Sequence, residues 1–154
     1  MSSGVYHSIA IKSDGNLIGW GRDDNNQVSG IPSGNNYKAV SSGYFHNVAL
    51  KDDGSLISWG DNEDGKVTDT PAGNDFIGVS AGFYHSVALK SDGSLIAWGK
   101  NDYGQVSDVP EGNNFVGVDS GISHSIALKS DGSLVSWGWD NNGQVSNTPM
   151  GTDY

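Results

Sequence analysis

The chain has 154 residues, of which 18 are acidic and 8 basic, and its formal net charge is −10. Such a surface repels phosphate groups, which excludes nucleic acids and anionic membranes as expected partners. Cysteine is absent, so disulfides, thiol nucleophiles and cysteine-ligated metals are excluded. No apolar run approaches the ~20 residues of a membrane helix. The N-terminus lacks the charged and apolar regions of a signal peptide, which favours a cytoplasmic location.

A repeat of 39 residues organises the chain. The segment His85–Gly99 recurs at His7–Gly21, His46–Gly60 and His124–Gly138, so each histidine follows the last by 39 positions. A fixed period of this size indicates a repeat architecture. We expect one domain, 1–154, made of four repeats near 1–39, 40–78, 79–117 and 118–154.

Each repeat begins with a predicted β-hairpin. In the first repeat, His7–Lys12 alternates large and small side chains, Asp14-Gly15 favours a tight turn, and Leu17–Trp20 returns as the second strand. We assign the bulky side chains to one face of the sheet and the small ones to the other: Ile9, Ile11, Ile18 and Trp20 against Ser8, Ala10 and Gly19. This assignment predicts sheets that stack face to face.

A further strand is expected before the next histidine, at Tyr37–Val40 and the equivalent Phe76–Val79 and Phe115–Val118. A short fourth strand around Gln27-Val28 stays open at this stage. No stretch has the 3.6-residue period of a helix. Three or four strands per repeat without helices predict an all-β fold of β-propeller blades, with a β-solenoid as the alternative.

The repeat is recognisable by its motif, G-x-x-H-S-x-A-L-K-x-D-G-S-L-x-x-W-G-x-N-x-x-G-Q. This pattern resembles the repeat of the RCC1 (regulator of chromosome condensation) family, and GFYHSVALKSDGSLIAWGKNDYGQVSDVP looks like the bacterial branch that includes the β-lactamase inhibitor protein II type of propeller. The resemblance covers essentially the whole chain, with departures at Asn26, Asn47 and Lys66. It implies a propeller whose loops bind other proteins, and a structural role for the repeated histidine.

Four repeats raise the question of how the propeller closes. The resemblance implies that family members usually carry seven blades, with roughly 51° between neighbours, whereas eight blades need about 45° and four need about 90°. Four blades alone leave two apolar end faces open to water. Tyr154 aligns with Tyr37, so the chain spans nearly a whole number of repeats. We expect two chains to form an eight-bladed homodimeric ring; the alternative is a piece of a longer propeller.

The repeated polar residues are interpreted as structural. The histidines could ring an axis and bind metal, but ligation needs a convergence that the repeat does not supply. We therefore assign the histidines and tryptophans to the repeat core: His7, Trp20, His46, Trp59, His85, Trp98, His124 and Trp137. The Asp-Gly turns carry one carboxylate each, too few for the 6–8 oxygens that calcium takes. No metal, no cofactor and no catalytic arrangement is expected.

Positions at which the repeats differ are the candidates for binding. Bulky residues precede each histidine, and variable loops follow each Trp-Gly; both are expected on one rim of the propeller. Exposed aromatic side chains fringed by Asp and Asn are typical of protein-binding surfaces. The predicted partner-binding residues are Tyr6, Tyr44, Phe45, Phe83, Tyr84, Tyr103 and Trp139. Two alternatives remain, a lectin-like or small-ligand propeller and a self-assembling repeat fragment with no other activity.

Overall fold

All strand pairing in the chain is antiparallel. The computed structural model describes all 154 residues, and twelve strands form four three-stranded sheets, which we refer to as blades 1 to 4 in chain order. The blades consist of β1 (Ser2–Ser3), β2 (His7–Ile11) and β3 (Leu17–Gly21); β4 (Tyr37–Ser42), β5 (His46–Lys51) and β6 (Leu56–Gly60); β7 (Phe76–Ala81), β8 (His85–Lys90) and β9 (Leu95–Gly99); and β10 (Phe115–Ser120), β11 (His124–Lys129) and β12 (Leu134–Gly138). The one helix is a three-residue 3₁₀ turn, Glu63–Gly65, and no helix could span a membrane.

The Asp-Gly segments form the hairpin turns that the sequence predicts. In blade 2 the Gly54 amide donates to Lys51 O at 3.0 Å, and Gly54 has a φ of 83°, which glycine adopts without steric cost. The Asp53 carboxylate accepts hydrogen bonds from both the amide and the hydroxyl of Ser55. This local chemistry fixes the turn length and therefore the strand register.

The short fourth strand that the sequence left open is not present in the structure. The segment around Gln27-Val28 forms consecutive turns, in which the Gly30 amide donates to Asn26 O at 3.0 Å and the Ile31 amide to Val28 O at 3.4 Å. These backbone groups are paired within the loop and are not available to extend the sheet. Each blade therefore has three strands.

The predicted division into a bulky face and a small face is wrong. In blade 1 the register places Trp20 opposite Ser8 and Gly19 opposite Ile9. Directly opposite residues in an antiparallel pair point to the same face. The turn thus sets the two strands out of phase, so that a bulky side chain on one strand lies beside a small one on the other. Both faces of every blade mix large and small side chains, which lets adjacent blades interdigitate.

Apolar clusters fill the three spaces between consecutive blades. Their buried members are Ile9, Tyr37, Ala49 and Trp59; Val48, Leu50, Phe76, Ala81, Ala88 and Trp98; and Val87, Leu89, Phe115, Ala127 and Trp137. The indole of each buried tryptophan donates to a backbone oxygen of the preceding blade's loop: Trp59 to Gln27 O (3.1 Å), Trp98 to Lys66 O (3.0 Å) and Trp137 to Gln105 O (3.1 Å). Packing between blades therefore builds the core, which no blade has by itself.

The two outer blades each present one face without a neighbour. Trp20 is 55% exposed and Ile18 48% exposed on blade 1, whereas the other three repeat tryptophans are at most 5% exposed. The assignment of Trp20 to the core is therefore not met within a single chain, because the indole lies on a face that no blade covers. His124 on blade 4 is likewise only partly buried.

Replacing Trp98 by alanine should lower the free energy of unfolding by about 3–5 kcal/mol, because it empties the space between blades 2 and 3. Trp98→Phe keeps most of the apolar volume but leaves Lys66 O without its indole donor, which costs roughly 1–3 kcal/mol. Urea unfolding followed by circular dichroism measures both changes. An alanine variant with the wild-type midpoint would contradict the described packing.

Candidate functional site

The residues before each histidine and the loop after each Trp-Gly lie at the same end of every blade. Between the first and second strands of blade 2, the Gly43 amide donates to His46 O at 2.9 Å and closes a tight connection that projects Tyr44 and Phe45. The loop after the third strand returns to the same place, since the Asp61 amide donates to Phe45 O at 2.9 Å. The Asp-Gly turns lie at the opposite end of the strands. We call the end with the variable segments the rim.

Five aromatic side chains form a continuous strip along the rim of blades 1 to 3, which we call the aromatic strip: Tyr6, Tyr44, Phe45, Phe83 and Tyr84. The Tyr44 ring stacks on Phe83 with centroids 3.7 Å apart, and it also contacts Phe45 at 3.9 Å and Tyr6 at 5.9 Å. Phe83 continues the strip to Tyr84 at 4.5 Å. The rings support one another across blade boundaries, so the strip is a preformed apolar surface.

Cations from the neighbouring loops cover the edges of the aromatic strip. The Arg22 guanidinium lies 4.9 Å from the Phe45 ring centroid and 5.5 Å from that of Tyr6, and it pairs with Asp24. Lys100 Nζ lies 5.2 Å from the Tyr84 ring. Such cation–π contacts hold both partners in place. The strip is therefore bordered by ordered charges.

A buried ion pair replaces the usual glutamine in blade 2. In the other loops a glutamine accepts from the amide two residues before it, as Gln27 Oε1 does from Asn25. Lys66 has no acceptor on its side chain; its ammonium instead lies 2.6 Å from Asp61 Oδ2, with the lysine side chain 4% exposed. The departure from the repeat is thus accommodated by a change at Asp61, the first residue of the same loop.

A cavity of about 270 Å³ opens on the rim between blades 3 and 4. We call it the blade 3–4 pocket, and its lining consists of Tyr84, Lys100, Asp102, Tyr103, Ile122, Ser123 and Trp139. Ser123 occupies the repeat position that holds an aromatic ring in the other three blades, so the cavity exists where that ring is missing. The Trp139 indole Nε1 is buried at this place and has no hydrogen-bond partner. Aromatic walls with a few polar groups beside them are suited to a small ligand.

The histidines link neighbouring blades and do not converge. His7 Nε2 bonds to Asn47 Oδ1 (2.8 Å), His46 Nε2 to Ser86 Oγ (2.9 Å) and His85 Nε2 to Ser125 Oγ (2.7 Å). Burial lowers the pKa of His46 to about 3, aided by the Lys66 charge, and lowers the pKa of His85 to about 4. No group of three or more His, Asp or Glu side chains is placed to hold a metal ion.

The structure brings the predicted rim residues together in two groups. Five form the aromatic strip, and Tyr103 and Trp139 lie 5.8 Å apart in the blade 3–4 pocket. Sequence reasoning missed the cations Arg22 and Lys100 as partners of the rings. It also missed that Ser123 opens a cavity. The sequence did contain an indication of this cavity, because Ser123 is a small residue at the repeat position that Tyr6, Phe45 and Tyr84 hold in the other blades.

Comparison with known families gives one match, which recurs along the chain. The family model described as the regulator of chromosome condensation (RCC1) repeat matches residues 1–27, 37–66, 76–105 and 115–144. Each matched segment contains the strands of one blade and the start of its following loop. No curated protein is matched by the sequence.

Solved propeller structures share the fold. The ectodomain of the Physcomitrella patens receptor kinase CR4 is 21% identical with a TM-score of 0.80, over 97% of this chain and 44% of that one. The ectodomain of the Arabidopsis thaliana receptor kinase ACR4 is 21% identical with a TM-score of 0.76, over 97% and 52%. Prp20p from Saccharomyces cerevisiae, described with its binding properties to Gsp1p and histones, is 25% identical with a TM-score of 0.78, over 96% and 46%. The chain spans about half the length of these structures.

Lowering the pH from 7.5 to 5 should destabilise the fold. The unfolded chain takes up protons on histidine below its ordinary pKa of about 6.5, whereas His46 and His85 stay neutral in the folded state down to pKa values of about 3 and 4. The contribution of these two histidines to the free energy of unfolding is therefore fully present above pH 6.5 and is lost as the pH falls toward the folded pKa values. The Ser55 hydroxyl and amide lower the carboxyl pKa of Asp53 from its ordinary value, so this group stays ionised between pH 7.5 and pH 5.

Urea midpoints at pH 7.5 and pH 5 measure this effect. His85→Gln removes one of the two buried titrating groups, so the variant should show a smaller drop between the two pH values than the wild type. Equal midpoints for the wild-type protein at both pH values would contradict the burial of neutral histidines between the blades.

Proposed function

Because the chain belongs to the RCC1 repeat family, we propose that it is a non-enzymatic scaffold that binds another protein through the aromatic strip. The observation that supports this proposal most strongly is the continuity of the strip across three blades. The rings of the aromatic strip lie at positions where the repeats differ. They stack on one another, and their outer edges are open to solvent. Aromatic residues and arginine are enriched at the energetic centres of protein interfaces.

Charge around the rim indicates the chemistry of the partner. The rim loops carry exposed carboxylates at Asp23, Asp24, Glu63 and Asp64, within a chain of net charge −10. A partner that places an apolar side chain on the strip and lysine or arginine around it would match this surface. A similar structure, Prp20p, is described with its binding to Gsp1p and histones, which are proteins; the partner of the present chain is defined only by this chemistry.

We extend the proposal to the architecture: two copies of the chain complete an eight-bladed ring. Its support is the pair of uncovered end faces, which carry Ile18 and Trp20 on one side and a groove beside Leu134 on the other. A second copy related by two-fold symmetry covers both faces at once. Ring closure would also continue the rim over eight blades and double the number of aromatic strips.

Photo-crosslinking tests the binding role of the rim. A benzoyl-phenylalanine at position 6, where Tyr6 is 54% exposed, captures a rim partner in extract, and calorimetry with the purified partner then gives the affinity. Phe45→Ser combined with Tyr84→Ser should weaken binding by about 100-fold or more, because interface hot spots contribute at least ~2 kcal/mol each. Serine is the residue that the repeat itself has at position 123.

A matched control separates the rim from general loss of apolar surface. Ile77→Ser with Val116→Ser removes two side chains of 50% and 54% exposure that lie away from the rim, and it should leave the affinity unchanged. Both double variants should keep the wild-type circular dichroism spectrum. An unchanged affinity in the rim variant would overturn the proposed docking surface.

The blade 3–4 pocket supports a second candidate function, binding of a small saccharide. Tyr103 and Trp139 offer aromatic surface for a sugar, Tyr84 lines one side of the cavity, and the Lys100–Asp102 ion pair at 3.1 Å provides polar groups beside them. This arrangement is common in small-ligand sites, which combine apolar walls with a few placed polar groups.

A glycan array with Ser123→Tyr as the comparison tests the pocket. Tyrosine restores the aromatic that three other repeats have at this position, so the variant should fold normally while filling the cavity and abolishing any glycan signal. Ser107→Tyr, at an exposed position outside the pocket, is the control and should keep the signal. No signal from the wild-type protein, or an equal signal from Ser123→Tyr, would contradict saccharide binding.

A further inference from the structure

The two end faces of the chain carry unpaired groups at the repeat positions that pair with each other between neighbouring blades inside the chain. We infer that blade 4 of one copy docks on blade 1 of a second copy in the same register that joins neighbouring blades within the chain. This inference rests on the two-copy ring proposed above and deepens it by naming the contacts at the joint, which we call the seam. The three internal blade–blade interfaces provide the pattern from which the seam follows.

The first matched pair is a histidine and a serine. Inside the chain, each bonded histidine contacts the residue 40 positions ahead, in the next blade; these residues are Asn47, Ser86 and Ser125. His124 is the one repeat histidine without such a partner. Ser8 occupies the corresponding repeat position on the exposed face of blade 1, also without a partner. At the seam, His124 Nε2 of one copy meets Ser8 Oγ of the other.

The second matched pair is an indole and a backbone oxygen. Trp59, Trp98 and Trp137 each donate to the oxygen 32 positions earlier, in the loop of the preceding blade. Trp20 has no acceptor within the chain and is 55% exposed. The repeat places its missing acceptor at Gln144 O, which has no donor in the loop after blade 4. Both groups become satisfied at the seam.

The third match is one of shape. Between blades 1 and 2, Leu17 and Ile31 of one blade and Ile57 of the next surround the same apolar cluster. On blade 4 the repeat equivalents of the first two, Leu134 and Thr148, line an open groove of about 380 Å³. The equivalent of Ile57 is Ile18, which is 48% exposed on blade 1. The groove and the exposed isoleucine are complementary parts of one interface.

An aromatic wedge completes the seam. Tyr37, Phe76 and Phe115 occupy one repeat position, are at most 4% exposed, and each packs between two blades. Tyr154 holds the same repeat position but is 53% exposed. A second copy that supplies Ala10 and Trp20 gives Tyr154 the environment that Ala49 and Trp59 give Tyr37. The four matches share only the Trp20 side chain, and they require one and the same docking register.

A charge-exchange experiment tests both the seam and its register. Ile18→Lys and Thr148→Asp each place one unpaired charge in both seams of a homodimer, so each variant alone should be monomeric at micromolar concentration. In a one-to-one mixture, one seam pairs the introduced lysine with the introduced aspartate, and the other seam is wild type. The mixture should therefore form a dimer at twice the 16.2 kDa chain mass, measured by light scattering after size exclusion.

Controls keep the outcomes separate. Ile77→Lys introduces the same charge at a side chain of 50% exposure away from the end faces, and it should stay dimeric like the wild type. Circular dichroism should show that all variants are folded, since positions 18 and 148 face no other blade within the chain. A monomeric wild-type protein would overturn both the two-copy ring and the seam. A dimeric wild type whose two charged variants stay dimeric alone, or stay monomeric when mixed, would overturn the seam register and leave the ring standing.

Discussion

Face-to-face contact between blades is the constraint on which the rest of the structure depends. A three-stranded sheet with apolar side chains on both faces cannot bury either face by itself, so every blade needs a neighbour on each side. The same three contacts recur at each internal interface. They are an aromatic ring packed between two blades, such as Phe76, an indole that donates to the preceding loop, such as Trp98, and a histidine bonded to the next blade, such as His85. The residues that make these contacts occupy positions at which the repeats agree.

The rim follows from the same constraint. Because the faces of the blades carry the packing, the connections at their ends are free to differ, and they differ in a way that creates surface features. Three consecutive repeats place aromatic rings that stack across blade boundaries, whereas the fourth has Ser123 and leaves a cavity. The aromatic strip and the blade 3–4 pocket are therefore two outcomes at equivalent positions of one repeated scaffold.

Much of this architecture could be predicted from the sequence, since the period, the Asp-Gly turns and the repeated tryptophans report local chemistry. The face assignment failed because it depends on strand register: Trp20 lies opposite Ser8, a pairing that alternation within one strand does not reveal. The cation–π contact of Arg22 with Phe45 could not be anticipated either, since it joins residues of two different blades. Lys66 was visible as a departure, but its pairing with Asp61 required the loop geometry.

The end faces lack the contacts that join the blades inside the chain. The hydrogen bonds of the histidine and the indole, and the packing of the aromatic ring, are not made on the outer sides of blades 1 and 4. The most direct measurement is hydrogen exchange at the indole Nε1–H of Trp20, compared with Trp59, Trp98 and Trp137 by ¹⁵N nuclear magnetic resonance of the wild-type protein in solution. If a second copy covers blade 1, the Trp20 proton is protected to the same degree as the three buried indoles. Exchange of that proton at the rate of a solvent-exposed indole, while the other three remain protected, would contradict the account.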